Sequence, residues 1–218
     1  MSEVYIVPRC ERPVDIVYED ELLLFVHKPH LLLSVPGRHP LNKDCMITRI
    51  QQTHPSATVV HRLDLDTSGL MVVPLTKPAH SHISRQFQER AVSKAYEAIV
   101  FGDMPVDSGE IDLPIATDWP NRPLQKICYE RGKQALTRYR VLERKHGNTR
   151  LLLEPTTGRS HQLRIHLASI GYPILGCDLY AHPEALAASD RLLLHATRLG
   201  LQHPGSGGWI EQVSTPEF

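Results

Sequence analysis

The sequence predicts an α+β fold in which a largely antiparallel sheet is flanked by a small number of helices. Two observations indicate this fold class: strand-like runs outnumber helical ones, and the two kinds of segment do not alternate regularly as they do in parallel α/β proteins. The strand-like runs cover residues 22–26, 70–75, 96–101, 136–142 and 150–154.

The run at 136–142 has the alternation of a half-buried antiparallel strand. Tyr139 and Val141 alternate with Arg138 and Arg140, and successive side chains of a strand point to opposite faces. We therefore expect the two arginines on one exposed face.

The first predicted helix follows Thr76, a candidate N-cap, and tolerates Pro78 in its first turn. Ile83, Phe87 and Ala91 recur every four residues and are expected to form its inner face.

The second predicted helix begins at Ser160 and ends at Gly171, with Pro173 beyond it as a stop signal. Its expected buried residues are Leu163, Leu167 and Ile170. His161 and Arg164 fall on a different face, close to the N-terminus of the helix.

The composition is that of an ordinary globular protein, with 41% hydrophobic and 22% charged residues in a chain of 218. No apolar run approaches the ~18 residues that cross a bilayer, so we expect no membrane contact. The cysteines are scattered and never form C-x-x-C, which favours a reducing, cytoplasmic location over a cysteine zinc site. They are Cys10, Cys45, Cys128 and Cys177.

The formal net charge is zero, but positive charge is concentrated between Arg122 and Arg150. This segment, called the basic segment below, contains nine Lys or Arg residues against two Glu residues. Such a segment is typical either of a phosphate-binding surface or of a solvated strand face.

The stretch HRLDLDTSGL, residues 61–70, places two aspartates before an apolar strand. Asp66 and Ser68 are suited to the turn that precedes the strand. Asp64 stands between two leucines, where a carboxylate is expected only if it is paired or reactive. The pair of aspartates also fits a metal-dependent glycosyl-transfer site or the two carboxylates of a glycoside hydrolase, each on weaker grounds.

The stretch PTTGRSHQLRIH, residues 155–166, leads from a turn at Gly158 into a helix N-terminus. Three side chains there favour binding of an anion: Arg159, His161 and Arg164. His161 and His166 are five residues apart, a spacing that does not favour a zinc site.

Motifs of several enzyme classes are absent from the sequence: the G-x-S-x-G elbow, the Walker-type phosphate loop and the dinucleotide-binding glycine motif. We therefore expect chemistry that needs no cofactor and no metal, and that relies on a carboxylate, arginines and a tyrosine.

Four segments together resemble the RluA family of RNA pseudouridine synthases, in the order of that family. They are FVHKPHLLLSVPG (25–37), HRLDLDTSGL (61–70), KAYEAIVFG (94–102) and TTGRSHQLRIHLASIGYPILG (156–176). The resemblance implies the pseudouridine synthase fold, with helices and loops around a catalytic cleft. It also implies one catalytic domain over 1–218, with an N-terminal arm at 1–14 and no separate S4 domain.

The resemblance also implies roles for individual residues. Asp64 matches the aspartate that initiates cleavage of the uridine N-glycosidic bond, and Arg164 the basic residue that pairs with it. Tyr96 matches a tyrosine that packs beneath the target base and takes part in proton handling. Arg62 matches an arginine that replaces the flipped uridine in the RNA stack. The expected RNA-binding residues are Arg62, His61, Arg122, Lys126, Arg159 and His161.

The implied partner is structured RNA, bound by a monomer without a required protein partner. The segment 118–133, DWPNRPLQKICYERGK, further resembles the dual-specificity member of the family, which modifies large-subunit rRNA and tRNA. Two other functions remain open: an inactive RNA-binding module of the same fold, and a glycosidase acting on a small nucleoside.

One segment departs from the family pattern. The family usually has Gly-Asp after the Pro-Ile of the last motif, whereas this chain has Gly176-Cys177-Asp178. The departure changes which residue is available for hydrogen bonding at this position. Cys177 is either a reactive thiol or, in our preferred interpretation, a small buried packing residue.

Overall fold

The computed structural model describes residues 5–218, so the first four residues of the predicted N-terminal arm lie outside it. Its contacts divide into two compact units. The first contains residues 5–93 and Ala196–Glu217, and the second contains Lys94–His195 and Phe218. The single domain over 1–218 stays a prediction.

The described residues contain eleven strands and four α-helices. The strands are β1 (Asp15–Glu19), β2 (Leu23–Lys28), β3 (Ser68–Pro74), β4 (Ser93–Phe101), β5 (Ser108–Asp112), β6 (Ile115–Thr117), β7 (Gln125–Ile127), β8 (Leu136–Lys145), β9 (Asn148–Pro155), β10 (Leu194–Gln202) and β11 (Trp209–Val213). The helices are α1 (Met46–Ile50), α2 (Lys77–Gln88), α3 (Gln162–Ser169) and α4 (Pro183–Ala187).

In the first unit, β1, β2 and β3 form antiparallel neighbours, β3 lies beside β10, and β11 pairs antiparallel with β10. All seven residues of β3 are buried, which explains its uninterrupted apolar sequence. Phe25, Leu70 and Ile83 belong to the core of this unit. Burying a side chain of this size stabilises the fold by ~1.5–3 kcal/mol.

Helix α2 begins as predicted, because the Thr76 side chain accepts a hydrogen bond from the Ala79 amide at 3.3 Å. Ile83 is buried and Phe87 packs against the same core. The helix ends at Gln88, so Ala91 of the predicted inner face lies beyond it.

In the second unit, β4, β9, β8 and β5 are antiparallel neighbours, and β6 and β7 form a separate antiparallel hairpin. The predicted alternation in β8 is confirmed: Arg138 and Arg140 are exposed, whereas Tyr139 and Val141 pack against the core. The fold class predicted from the sequence, α+β with a largely antiparallel sheet, is thereby confirmed.

Helix α3 begins at Gln162, with His161 as its N-cap in the left-handed conformation at φ 55°. All residues from 162 to 167 are buried. Arg164 is therefore enclosed, although helical periodicity places it on a different face from Leu163 and Leu167. A helix that packs on several sides has no solvent-facing stripe over this length. Hydrophobic periodicity alone therefore does not reveal which of its residues are buried.

No helix within residues 5–218 is long and apolar enough to cross a membrane.

Candidate functional site

Asp64 lies on the loop that leads into β3, and its side chain is half-buried. The Thr67 amide donates to the Asp64 carbonyl at 3.2 Å, which closes a turn over the two residues between them. Gly69 follows at φ 116°, and a Cβ there would lie 2.3 Å from the Ala196 carbonyl oxygen. Position 69, the second residue of β3, therefore accepts only glycine. The neighbouring Arg62 is exposed.

Two buried side chains hold the backbone on either side of Asp64. The Ser34 hydroxyl donates to the Leu63 carbonyl at 2.8 Å and accepts from the Leu63 amide at 3.1 Å. The Lys28 ammonium donates to the Leu65 carbonyl at 3.2 Å. Both interactions act on backbone groups adjacent to Asp64, so they restrict where its carboxylate can lie.

Lys28 is fully buried, and a buried ammonium must be compensated by hydrogen-bond acceptors. Its Nζ also donates to the Pro29 carbonyl at 2.9 Å and to the Leu32 carbonyl at 2.7 Å. Hydrogen bonds of the Lys28 ammonium thus connect residues 29–32 with the Asp64 loop. Lys28 and Ser34 were not identified as site residues from the sequence, although both lie in the segment 25–37 that carries the family resemblance.

His61 is anchored to the first unit. Its Nε2 accepts from the Val72 amide at 3.0 Å, which requires the neutral ring with its proton on Nδ1. The ring stacks on Phe87 with centroids 4.7 Å apart. These contacts fix the start of the Asp64 loop on β3 and α2, and an RNA contact by His61 stays a prediction.

Tyr96 belongs to the second unit, in β4, where it pairs in register with Leu153 of β9. Its ring is half-buried and packs against the hydrophobic core of that unit. The position of the ring is therefore set by a central strand rather than by a loop.

Arg164 is the largest fully buried polar side chain of the second unit, with 2% of its side chain exposed. Its Nη2 donates to the Asp178 carboxylate at 2.5 Å, and its Nε donates to the Cys177 Sγ at 3.3 Å. The guanidinium carbon lies 5.8 Å from the centre of the Tyr180 ring. The two residues that depart from the family pattern thus both contact Arg164, and Cys177 is buried as expected of a packing residue.

Tyr180 connects Arg164 with two other parts of the second unit. Its hydroxyl accepts from the Gln125 amide, at the start of β7, at 2.9 Å. The same hydroxyl lies 2.8 Å from His161 Nδ1. His161 and Arg164 are therefore brought together around one tyrosine, as neighbours of the β6–β7 hairpin.

Arg159 lies in the turn before α3. Its amide donates to Gln162 Oε1 at 3.0 Å, and its Nε donates to the Gln134 carbonyl at 3.1 Å. Gln162 Oε1 also accepts from the Thr157 hydroxyl at 2.8 Å. The Gln162 side-chain oxygen thus occupies the Arg159 amide at the helix N-terminus, where the sequence predicts a bound anion.

His166 is held inside the second unit rather than in a metal site. Its Nε2 donates to the Leu113 carbonyl at 3.0 Å, and its Nδ1 lies 3.0 Å from the Thr137 hydroxyl. Burial lowers the pKa of His166 below its ordinary value of 6.5 and favours the neutral ring. Within residues 5–218, no group of three or more His, Cys, Asp or Glu side chains is arranged to hold a metal ion.

The β6–β7 hairpin presents an exposed aromatic ring next to basic side chains. Trp119 is 69% exposed, and the Arg122 guanidinium lies over it at 4.8 Å from the ring centre. Lys126 pairs with Asp118 at 3.4 Å. The Asn121 side chain donates to Asp118 and, together with Lys126, keeps the pKa of that carboxyl below its usual range. Trp119 was not identified from the sequence. It lies just before the basic segment, and an exposed aromatic ring beside basic side chains suits a surface on which bases stack.

The basic segment is less positive in the fold than in the sequence, because acidic residues outside it pair with its arginines. Three such pairs are Arg138–Glu110 at 2.6 Å, Arg144–Asp107 at 2.5 Å and Arg150–Glu97 at 2.9 Å. Arg138 and Glu110 are direct cross-strand partners in β8 and β5. These pairs reduce the positive charge that the basic segment offers to phosphates.

Comparison with known proteins gives consistent results. The family model described as RNA pseudouridylate synthase matches residues 22–169. A Yersinia pestis protein named dual-specificity RNA pseudouridine synthase RluA is 54% identical over 204 residues, covering 93% of this chain and 99% of the relative. A Pasteurella multocida protein of the same name is 45% identical over 219 residues, covering both chains completely.

Among solved structures, human RNA pseudouridylate synthase domain containing 1 superposes with a TM-score of 0.80 at 28% identity, covering 100% of this chain and 87% of the other. Human RNA pseudouridylate synthase domain containing 4 shares the fold, with a TM-score of 0.74 at 24% identity over 92% of this chain and 88% of the other. The chain therefore belongs to the RluA family of RNA pseudouridine synthases and is an isomerase that acts on RNA.

Proposed function

We propose that this enzyme modifies uridines in stem-loops of both 23S rRNA and tRNA, including the anticodon stem-loop, as a cytoplasmic monomer without a required protein partner. The name dual-specificity, which its relatives carry, and the resemblance of residues 118–133 to such a member support both substrates. The observation that carries the catalytic part of the proposal is the Asp64 loop, held on both sides by Ser34 and Lys28.

Asp64 is the residue that acts on the uridine. The reaction breaks the bond between C1′ and N1, turns the uracil and forms a bond between C1′ and C5. N1 gains a proton and C5 loses one to water, so atoms and electrons balance without a redox cofactor. A carboxylate fixed through its neighbouring backbone meets the need for accurate positioning in such a step.

Arg62 is the residue that fills the space left by the flipped uridine. Unstacking a base costs a few kcal/mol, and a side chain that replaces the base recovers part of that energy. Arg62 is exposed and only two residues before Asp64. Its exposure and its position on the held loop support this role.

Arg164 and Tyr96 complete the proposed catalytic set. A buried arginine favours the ionised form of a carboxylate with which it pairs. Arg164 is buried and anchored, and its proposed role, to favour the charged form of the catalytic carboxylate, is the one that the family resemblance implies. Tyr96, held by β4, supports the target base and takes part in proton handling.

The RNA is bound by phosphate contacts and by stacking on exposed bases. The proposed contact residues are His61, Arg62, Arg122, Lys126, Arg159 and His161, to which the hairpin adds Trp119. Arg122 and Trp119 together present a cation and a ring. This combination suits the unpaired bases of a loop, since every base has a face that stacks.

A direct test incubates the enzyme with RNA tritiated at uracil C5 and measures tritium released to water. We expect release from a 23S rRNA fragment and from a tRNA anticodon stem-loop, and none from free uridine. Release from free uridine would indicate a nucleoside glycosidase instead. Binding of both RNAs without release would indicate an inactive binding module, and release from one RNA alone would refute dual specificity.

A further inference from the structure

The second unit has a pocket of about 330 Å³ at the end of its sheet where β8 turns into β9. Ile99 of β4 and the buried Leu175 give the pocket an apolar part. Lys145, His146 and Asn148, at the turn between β8 and β9, line it as well. Sites for small molecules occupy roughly 300–1,000 Å³, so the pocket is large enough for a small ligand.

This pocket lies on the opposite face of the sheet from Tyr96. Tyr96 and Ile99 are three residues apart in β4, and side chains at an odd separation in a strand point to opposite faces. Tyr96 packs against the hydrophobic core of the unit, as do Ala98 and Val100. A molecule in the pocket is therefore not the uridine that Tyr96 is proposed to support.

A β-bulge turns two charged side chains of β8 towards the pocket. Tyr139 and Val141 pack against the core, and an unbroken strand would place the next odd-numbered residues on the same face. The register of β8 and β9 shifts by one residue between Val141 and Glu143. Glu143 and Lys145 consequently line the pocket. Bulges of this kind redirect side chains and are frequent beside functional sites.

The Glu143 carboxylate has no counter-ion, although it stands opposite Arg150 in the register of β8 and β9. Opposite charges in such positions commonly pair. The Arg150 guanidinium instead donates to Glu97 at 2.9 Å and to the Phe218 carbonyl. Among residues 5–218, neither Glu143 nor Lys145 has a partner for its side chain in a hydrogen bond or an ion pair. Both groups are thus available to a ligand.

The arrangement of charges and apolar surface suits a particular kind of ligand. Glu143 and Lys145 are ~7 Å apart along the strand, so one ligand can contact both. A nucleotide offers a flat base to the apolar residues and a phosphate to an ammonium. Guanine presents its N1–H and its 2-amino group side by side, which match the two oxygens of a carboxylate. Uracil presents one N–H between two carbonyl oxygens, which a carboxylate repels.

We propose that this pocket binds a guanine nucleotide, whose base donates hydrogen bonds to Glu143 and whose phosphate contacts Lys145. The nucleotide is either an unpaired guanosine of the RNA, away from the modified uridine, or a free guanine nucleotide. The enzyme acts on RNA, and recognition of unpaired bases through their hydrogen-bonding edges is common among proteins that bind RNA. This inference goes beyond the proposed function and does not depend on which residues are catalytic.

The first test is calorimetric titration of the full chain with guanosine 5′-monophosphate and with uridine 5′-monophosphate. We expect the guanine nucleotide to bind at one site, at least about tenfold more tightly than the uracil nucleotide. Glu143→Gln should lower the affinity for the guanine nucleotide about tenfold, because it removes hydrogen bonds to a charged group. Glu130→Gln, at another exposed glutamate of the same unit, should leave the affinity unchanged.

The second test separates the phosphate from the base. Lys145→Gln should lower the affinity for guanosine 5′-monophosphate about tenfold and leave the affinity for guanosine unchanged, since only the nucleotide carries the phosphate. Lys133→Gln removes another exposed lysine of the unit and is the matched control. Glu143 and Lys145 are both exposed, so neither substitution should change the thermal unfolding midpoint.

The source of the nucleotide is found by competition. If RNA supplies it, saturating guanosine 5′-monophosphate should raise the dissociation constant of a 23S rRNA fragment for the wild type and not for Glu143→Gln. A free nucleotide as the natural ligand predicts no change in that constant.

The inference is overturned if guanosine 5′-monophosphate does not bind, if the uracil nucleotide binds as tightly, or if Glu143→Gln and Lys145→Gln bind as the wild type does. All three outcomes are measured by binding alone. They are therefore distinct from a failure of the proposed function, which would appear as absence of tritium release from either RNA.

Discussion

The Ser34 hydroxyl forms two hydrogen bonds with one residue, Leu63: it donates to the carbonyl at 2.8 Å and accepts from the amide at 3.1 Å. Because Leu63 directly precedes Asp64, this pair of bonds fixes the backbone from which the carboxylate projects. Lys28 acts in the same way on Leu65, the residue that follows. The charged loop is thus supported through its backbone by buried polar groups of residues 25–37.

Replacement of Ser34 tests this support. Ser34→Ala leaves the Leu63 amide and carbonyl without their buried partner, which destabilises the fold by about 1–3 kcal/mol. We expect a lower free energy of unfolding in urea and slower tritium release at saturating RNA. Ser81→Ala, on the exposed side of α2, is the control and should change neither. An active, fully stable Ser34→Ala protein would contradict the role of this hydroxyl.

Arg62→Ala should weaken the productive complex without altering the fold. We expect kcat/KM on stem-loop RNA to fall by a factor that corresponds to about 1–3 kcal/mol, because the gap left by the flipped base stays unfilled. Arg85→Ala removes another exposed arginine of the same unit and serves as the control. Equal effects of the two substitutions would mean that only general positive charge is lost.

Trp119→Ala tests the hairpin as a stacking surface. The dissociation constant for a tRNA stem-loop should rise by an amount that corresponds to about 1–3 kcal/mol, since the variant loses one base–aromatic stack. Trp209→Ala, which removes a tryptophan that is also exposed, should leave the dissociation constant unchanged. If Trp119→Ala and Trp209→Ala bind the stem-loop with the same dissociation constant, the Trp119 ring does not contact RNA.

Protonation of His166 predicts a pH dependence of stability. Burial lowers its pKa in the folded protein below 6.5, so the unfolded chain binds more protons as the pH falls below that value. The free energy of unfolding should therefore decrease on acidification from pH 7.5 to about 5.5. His166→Gln should show a smaller decrease, whereas His146→Gln, at an exposed turn, should behave as wild type. If the free energy of unfolding of His166→Gln decreases on acidification as much as that of wild type, His166 is not the group responsible for the pH dependence.

Much of the fold follows from local sequence patterns. The five predicted strands correspond to β2, β3, β4, β8 and β9, and Thr76 caps α2 as expected. Strands β6 and β7 have three residues each, too few to display periodicity, and β1 is largely exposed without apolar alternation. These elements are specified by pairing with the strand that is next in sequence, β6 with β7 and β1 with β2, and not by their own composition.

The candidate site, like the fold, is predictable from local sequence only in part. Asp64 stands out because a carboxylate between leucines conflicts with its neighbours. A turn before the strand is expected from Asp66 and Ser68, and the structure closes it between Asp64 and Thr67, with β3 beginning at Ser68. The roles of Ser34 and Lys28 depend on contacts between segments about thirty residues apart in sequence. The neutralisation of Arg138 likewise depends on Glu110 in another strand. Such contacts have no local signature.

The central claim is that Asp64, and not the neighbouring aspartate of the same loop, acts on the uridine. The measurement that tests it most directly is tritium release from C5-labelled stem-loop RNA by Asp64→Asn and by Asp66→Asn, each with its RNA dissociation constant. We predict that Asp64→Asn abolishes release while binding RNA within a few fold of wild type, and that Asp66→Asn retains turnover. Near-normal release by Asp64→Asn would contradict the account.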